Sequence, residues 1–305
     1  MSTYKRLSKV YENSKVIPYD YSSKFVIMSD CHRGSGNSGD NFLKNQYIFF
    51  AALNDYYKKG FTYIELGDGD ELWENRSMEQ IIEVHSSTFE LLSKFYESDR
   101  MYMIYGNHDM QKSDTEFLEC HYKGHYCKKR KKFFSLFNYI KAYEGIILEN
   151  EDNNQHRIFL LHGHQGDLIN DRLWKLGKFL VRYIWRPLEI WGFNDPTRAA
   201  KNYRKKNSIE QQLITWSKEN NIMLITGHTH RSSSANLDEP MYFNSGSCIH
   251  PTAITAIEIE YGRISLVKWS IMTREDNSIY VGKEVLKGPV KLEDYFLKNI
   301  KIENF

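Results

Sequence analysis

Three short apolar runs constrain this chain most, because each stops at a residue that can carry chemistry. Lys24–Ser29 halts at Asp30, Phe61–Leu66 at Gly67-Asp68, and Met101–Tyr105 at Gly106-Asn107. Apolar runs of this length bounded by turn formers read as buried strands. Between them, Phe42–Lys59 and Met78–Tyr96 carry apolar residues at helical spacing, the first stopping at Gly60. Strand, loop and helix alternate, which predicts an α/β fold with parallel strands. Ligands in such sheets gather where the carboxyl ends of the strands meet the loops.

Further along, Gly145–Leu148 and Arg157–Leu161 flank Asp152-Asn153-Asn154 and predict a hairpin. Ile222–Thr226 is a further strand, and Thr252–Glu260 with Arg263–Ser270 a second hairpin about Gly262. Two segments fall outside this pattern. Residues 110–141 are polar and basic, including Lys128-Lys129-Arg130-Lys131-Lys132. Residues 170–220 are helical by pattern and carry Trp174, Trp185, Trp191 and Trp216. Both are expected as insertions in a single domain spanning 1–305, the second as a cap-like element beside the site.

With 305 residues, 41% of them hydrophobic, the chain can bury a full core. A net charge of +2 does not favour a dominant nucleic-acid face, although Lys128–Lys132 offers a local basic patch for nucleic acid or peripheral contact with an anionic membrane. No apolar stretch reaches the ~18–20 residues of a membrane span, and Met1–Lys15 lacks the apolar run of a secretory signal. Four cysteines, Cys31, Cys120, Cys127 and Cys248, do not make a disulfide framework in a chain of this length. The expected location is cytoplasmic.

The chemistry concentrates in five motifs: Asp30-Cys31-His32, Gly67-Asp68, Gly106-Asn107-His108-Asp109, His162-Gly163-His164 and Gly227-His228-Thr229-His230. Asp, His and Asn are donors for Mn, Fe, Zn and similar ions. Asp30 with His32, and His228 with His230, are i,i+2 pairs that share one side of an extended segment. Asp68, with two oxygens, is able to bridge two ions. The glycines permit tight turns and close backbone approach. Cys120, His121, His125 and Cys127 form a second cluster of metal-ligating types, but their spacing matches no standard zinc site.

This series of motifs resembles the calcineurin-like metallophosphoesterase superfamily. The resemblance implies a four-layer α/β/β/α sandwich with a helical insertion, and two divalent metal ions at the strand ends. Manganese is the leading candidate, with Fe, Zn, Ni or Co as alternatives. It further implies one metal on Asp30, His32, Asp68 and His230, and a second sharing Asp68 and adding Asn107, His162 and His228. His162 directly follows its strand and matches the family's His-Gly position; His164 is left as a supporting or substrate group.

The implied activity is phosphohydrolysis of a mono- or diester by a metal-bridging hydroxide. His108 would stabilise the transition state or protonate the leaving oxygen, and Asp109 would orient it. Arg33 is a candidate phosphate contact or an ordinary loop arginine. The run Leu66–Trp73, with Glu71 and Trp73 after Asp68, is also similar to the UDP-2,3-diacylglucosamine hydrolases. There the insert is a lid for acyl chains, which here would use Leu173, Trp174, Leu176, Phe179, Leu180, Tyr183, Ile184 and Trp185. That branch carries Arg where this chain has His108. The alternatives are therefore a lipid-nucleotide pyrophosphatase and a non-catalytic binding scaffold of the same fold. The expected partner is a phosphorylated substrate whose identity and ester class the motifs leave open.

Overall fold

The computed structural model of the chain describes residues 2–302 apart from 38, 128–130, 166, 168–169, 172 and 186–202. Strands Lys24–Met28, Thr62–Leu66 and Met101–Ile104 lie side by side and parallel in that order. They form the centre of a seven-stranded sheet that ends at Ala142–Tyr143 on one side. The other side adds Ala253–Glu260, Arg263–Thr273 and Ile279–Lys291, paired antiparallel. A six-stranded sheet holds, in spatial order, Lys15–Tyr19, Gly145–Asn150, Arg157–Leu161, Met223–Thr226, Tyr242–Asn244 and Ser233–Ser234.

Strand periodicity sends successive side chains to opposite faces, and each face finds its own core. Phe25, Ile27, Ile64, Leu66 and Ile104 meet Leu148, Leu160 and Ile225 between the two sheets. Val26, Met28, Tyr63 and Met103 point the other way, onto Phe49, Leu53, Phe89 and Leu92 of helices Gln46–Lys58 and Ser86–Glu97. On the far side, Phe159, Leu161 and Leu224 pack against Leu7 and Val10 of helix Thr3–Glu12 and against Leu213 and Trp216 of helix Tyr203–Asn220. Three apolar clusters thus separate four layers, the α/β/β/α sandwich that the motifs implied.

Both predicted hairpins are present, but the two long helices are each interrupted, and the cause is a buried polar contact. The first is a 3₁₀ turn, Asn41–Lys44, followed by Gln46–Lys58. Asn45 at the junction donates to the carbonyls of Cys248 (2.9 Å) and Ala253 (3.3 Å), and also to that of His250. The second breaks at His85, whose Nε2 meets Asp40 Oδ2 at 2.9 Å. Both contacts tie loops at the carboxyl end of the central strands.

Segment 110–141 has structure of its own: a 3₁₀ turn Met110–Ser113, a helix Thr115–Tyr122 and a hairpin Gly124–Cys127/Lys132–Ser135. Lys128, Lys129 and Arg130 of the basic run lie outside the described residues, as do Trp191 and the side chains of Ile184 and Trp185. In the second segment, helix Trp174–Leu180 continues into a π-helical turn, Val181–Trp185. The sequence reading missed Lys15–Tyr19 and Ile279–Lys291. Both are edge strands, and Pro18, Gly282, Gly288 and Pro289 mask their pattern.

Asn45→Ala leaves two or three buried carbonyls without a donor and is expected to lower stability by ~1–3 kcal/mol. Urea unfolding would show a lower midpoint at unchanged slope. An unaltered midpoint would remove Asn45 as the fastening of the 248–253 loop.

Candidate metal centre

Every one of the five motifs follows a strand, and their loops converge on one edge of the two-sheet core. Turning a strand sharply at its last residue forces unusual backbone. Asp30, His32, Asp68, His228 and His230 all have left-handed φ, between 47° and 67°. The two i,i+2 pairs therefore do not share an extended segment, as the spacing predicted; their members converge through left-handed turns. Non-glycine residues held there cost ~1–3 kcal/mol each and concentrate at functional sites. Close approach adds a second constraint. A Cβ at Gly106 would stand 2.1 Å from Asp68 Oδ1, so only glycine fits.

Two clusters result. In the first, Asp30 Oδ1 lies 2.9 Å from His230 Nε2 and 3.7 Å from His32 Nε2. The two imidazole Nε2 atoms are 3.3 Å apart, and His32 Nε2 is 3.8 Å from Asp68 Oδ2. The second cluster is Asp68, His162 and His228, with His162 Nε2 3.1 Å from the same Asp68 Oδ2. Asp68 thus belongs to both. The ring of His162 is set by Nδ1, which donates to Leu66 O at 2.9 Å and leaves Nε2 facing the carboxylate. Asn107 Oδ1 and His228 Nε2 are buried without a hydrogen bond, while His162 Nε2 faces the Asp68 carboxylate. Oxygen and imidazole atoms left in this state fit a cation, which supplies the partner they lack.

Charge follows the same logic. Burial opposes ionisation of Asp68, but His162 and His108 outweigh it and hold the carboxyl far below its usual range. Burial likewise opposes a charge on His162, yet Asp68 and Asp30 raise it to about 9. Burial, reinforced by His162, lowers His228 to about 3 and His164 well below the usual imidazole value. A proton on His162 and a divalent cation answer the same need, countercharge for Asp68. His164 has both ring nitrogens buried and unpaired, 5.5 Å between ring centroids from His162. It groups with Glu144 and Asp171, which both pair with Arg6.

The group that orients His108 differs from the one expected, Asp109. The His108 ring is oriented by Glu71, whose Oε1 is 2.8 Å from Nδ1, and by Trp73, stacked on it at 4.4 Å. The other oxygen of Glu71 meets His32 Nδ1 at 2.9 Å. Asp109 instead accepts the backbone N–H groups of Gly106 (2.7 Å), Gly69 (2.9 Å), Asp68 (3.2 Å) and Asp70 (3.4 Å). Lys112 Nζ sits 2.7 Å from Asp109, 2.8 Å from Asp70 and 3.0 Å from Glu65.

Arg33 is not a phosphate contact. Its guanidinium is buried and pairs with Asp70 at 2.7 Å and Glu65 at 2.8 Å. The Cys120–Cys127 group does not assemble either: His121 and His125 each pair with a glutamate of helix Met78–Val84, Glu79 and Glu83, while Cys120 is exposed and Cys127 buried. Sequence reasoning noted Glu71 and Trp73 without giving them a role at His108, and it missed Lys112. For the first two the signal was present, in the Gly67–Trp73 run.

A sandwich whose strand ends carry two carboxylate–imidazole clusters around a shared aspartate defines a metal-dependent phosphoesterase. The family model of the calcineurin-like phosphoesterases matches residues 23–232, and the chain belongs to that family. Its members typically bind two divalent metals, for which the two clusters are candidate ligand sets. No curated protein matches the chain by sequence. Among solved structures, Vps29 from Chaetomium thermophilum is similar at 10% identity and a TM-score of 0.40, over 87% of this chain and 96% of that one.

Lys112→Met would remove the cation paired with Asp109 and leave Glu65 and Asp70 to Arg33. Removing one partner of a buried ion cluster typically costs ~3–5 kcal/mol. Thermal unfolding should show a correspondingly lower midpoint; wild-type stability would mean that the cluster is not held by Lys112.

Proposed function

We propose that this protein is a dinuclear phosphohydrolase acting on a phosphate mono- or diester. One cation would be held by Asp30, His32, Asp68 and His230, the other by Asp68, Asn107, His162 and His228. The observation that carries this reading is Asp68, which reaches both clusters while the buried Asn107 Oδ1 and His228 Nε2 lack a hydrogen-bond partner. When bound, such a pair polarises phosphoryl oxygens and lowers the pKa of a coordinated water. Manganese leads the metals that suit this donor set, with Fe, Zn, Ni and Co behind it.

The chain's own residues do the rest. Glu71 occupies His108 Nδ1, which leaves Nε2 to face the phosphoryl group or hand a proton to the leaving oxygen. Trp73 fixes the plane of the ring. Asp109 holds the turn that presents Asp68. The full ligand set and His108 weigh against a non-catalytic scaffold. Residues 110–141 and 170–220 are, on this reading, elaborations of one domain that shape the substrate's surroundings. The working location is the cytoplasm; no helix among the described residues is long and apolar enough to cross a membrane.

One observation favours a narrower second reading, a lipid-nucleotide pyrophosphatase with peripheral membrane contact. Leu173, Leu176, Phe179 and Tyr183, on the insert beside Trp73, are 43–52% exposed, an apolar surface suited to acyl chains.

Metal-stripped protein should gain turnover of p-nitrophenyl phosphate or bis-p-nitrophenyl phosphate on adding manganese. Asp68→Ala is expected to abolish it and lower metal content. His108→Ala should reduce kcat by ~10²–10⁴-fold with metal retained, the usual range for a positioned acid. A fully active Asp68→Ala variant would sink the dinuclear reading. Preference for an acylated nucleotide over both chromogenic esters would select the pyrophosphatase.

A further inference from the structure

Helix Trp174–Leu180 and the turn Val181–Trp185 are joined to the catalytic loops by contacts that need no substrate. Arg182, in the turn Val181–Trp185, donates to three backbone carbonyls of the loop after Asp68: Leu72 at 2.7 Å, Trp73 at 2.8 Å and Asn75 at 2.9 Å. That loop carries Glu71 and Trp73, the two side chains that orient His108. Tyr183 adds a contact to Arg76 at 3.2 Å. On the other side of His108, Lys178 donates to Gln111 at 2.6 Å, two residues past Asp109. The insert therefore holds both loops between which His108 stands.

We infer that Arg182 is a positioning residue for the reaction, acting through Glu71 and Trp73 on His108, so that the insert governs turnover as well as access. The inference rests on the phosphohydrolase reading for its kinetic consequence and on the loop contacts alone for its structural one. The planar fork of N–H groups lets one arginine hold all three carbonyls at once. Lysine at that position keeps the charge and reaches one carbonyl at best. Freed from these contacts, the 72–75 loop would let Glu71 swing, and small displacements of an acid cost turnover steeply.

The test uses manganese-loaded, full-length protein and bis-p-nitrophenyl phosphate. Arg182→Ala and Arg182→Lys should each lower kcat about tenfold, with KM and bound manganese unchanged. In a His108→Ala background the same substitutions should change kcat by less than about twofold, since residues acting in one chain are non-additive. A rise in KM alone, unaltered kcat, or a full tenfold loss in the His108→Ala background would overturn the inference. If Arg182→Ala fails to fold, Arg182→Lys carries the comparison. If the wild type hydrolyses neither chromogenic ester, the functional reading is at fault. The positioning claim then stands or falls on amide hydrogen exchange: faster exchange across residues 72–75 and at His108 in Arg182→Lys supports it, and unchanged exchange refutes it.

Discussion

One carboxylate with no exposure to solvent, Asp109, organises this end of the molecule. It draws the N–H groups of Gly106, Asp68, Gly69 and Asp70 to a single point and so joins the turns that follow two neighbouring parallel strands. Hydrogen bonds to an ionised acceptor are roughly twice as strong as neutral ones. Burial, with Asp68 and Glu65 beside it, raises Asp109 above the usual carboxyl range, and Lys112 opposes that rise by supplying the countercharge. The left-handed conformation of Asp68 persists because these bonds determine where its backbone lies.

That rigidity explains why the centre tolerates so many unfavourable features at once. Five residues sit at left-handed φ, and several buried ring and amide atoms lack partners. In a stability-driven design each would be replaced, since an unsatisfied buried group costs ~1–3 kcal/mol. Here they cluster on one edge of a sandwich whose three apolar cores are otherwise continuous. The large cores offset the strain, and these five left-handed residues gather where a cation would relieve it. The neighbouring group Glu65, Asp70 and Asp109 shows the contrast: more acidic and fully buried, it is already answered by Arg33 and Lys112.

What the sequence disclosed follows a physical line. The central parallel strands were legible because each is a short apolar run broken at a turn former, and the five motifs because they fall at those breaks. The interruptions at Asn45 and His85 were not, because their causes are distant: Asn45 answers carbonyls beyond residue 247, and His85 answers Asp40. The role of Asp109 was misplaced for the same reason. Adjacency in sequence suggested that it orients His108, but its partners lie on the next strand's turn, while Glu71 arrives at His108 from there. Arg33, next to His32, was ambiguous until Glu65 and Asp70 were seen to enclose it.

Glu71 gives the centre a property that neither cluster has alone. Its two oxygens hold Nδ1 of His32 and Nδ1 of His108, a candidate metal ligand and the candidate acid. A carboxylate behind a ligating imidazole fixes its tautomer and raises its basicity. Because the same group also fixes His108, the two rings, 4.8 Å apart between centroids, cannot reorient independently. The orientation of His32 and the aim of His108 thereby share one support. The Trp73 stack, on the same loop, removes the remaining freedom of the His108 ring. An arginine at position 108 would project past this carboxylate with a longer, already charged side chain, and would bind phosphate without a proton to give. The histidine, held short and by one nitrogen, is suited to proton transfer at the leaving oxygen.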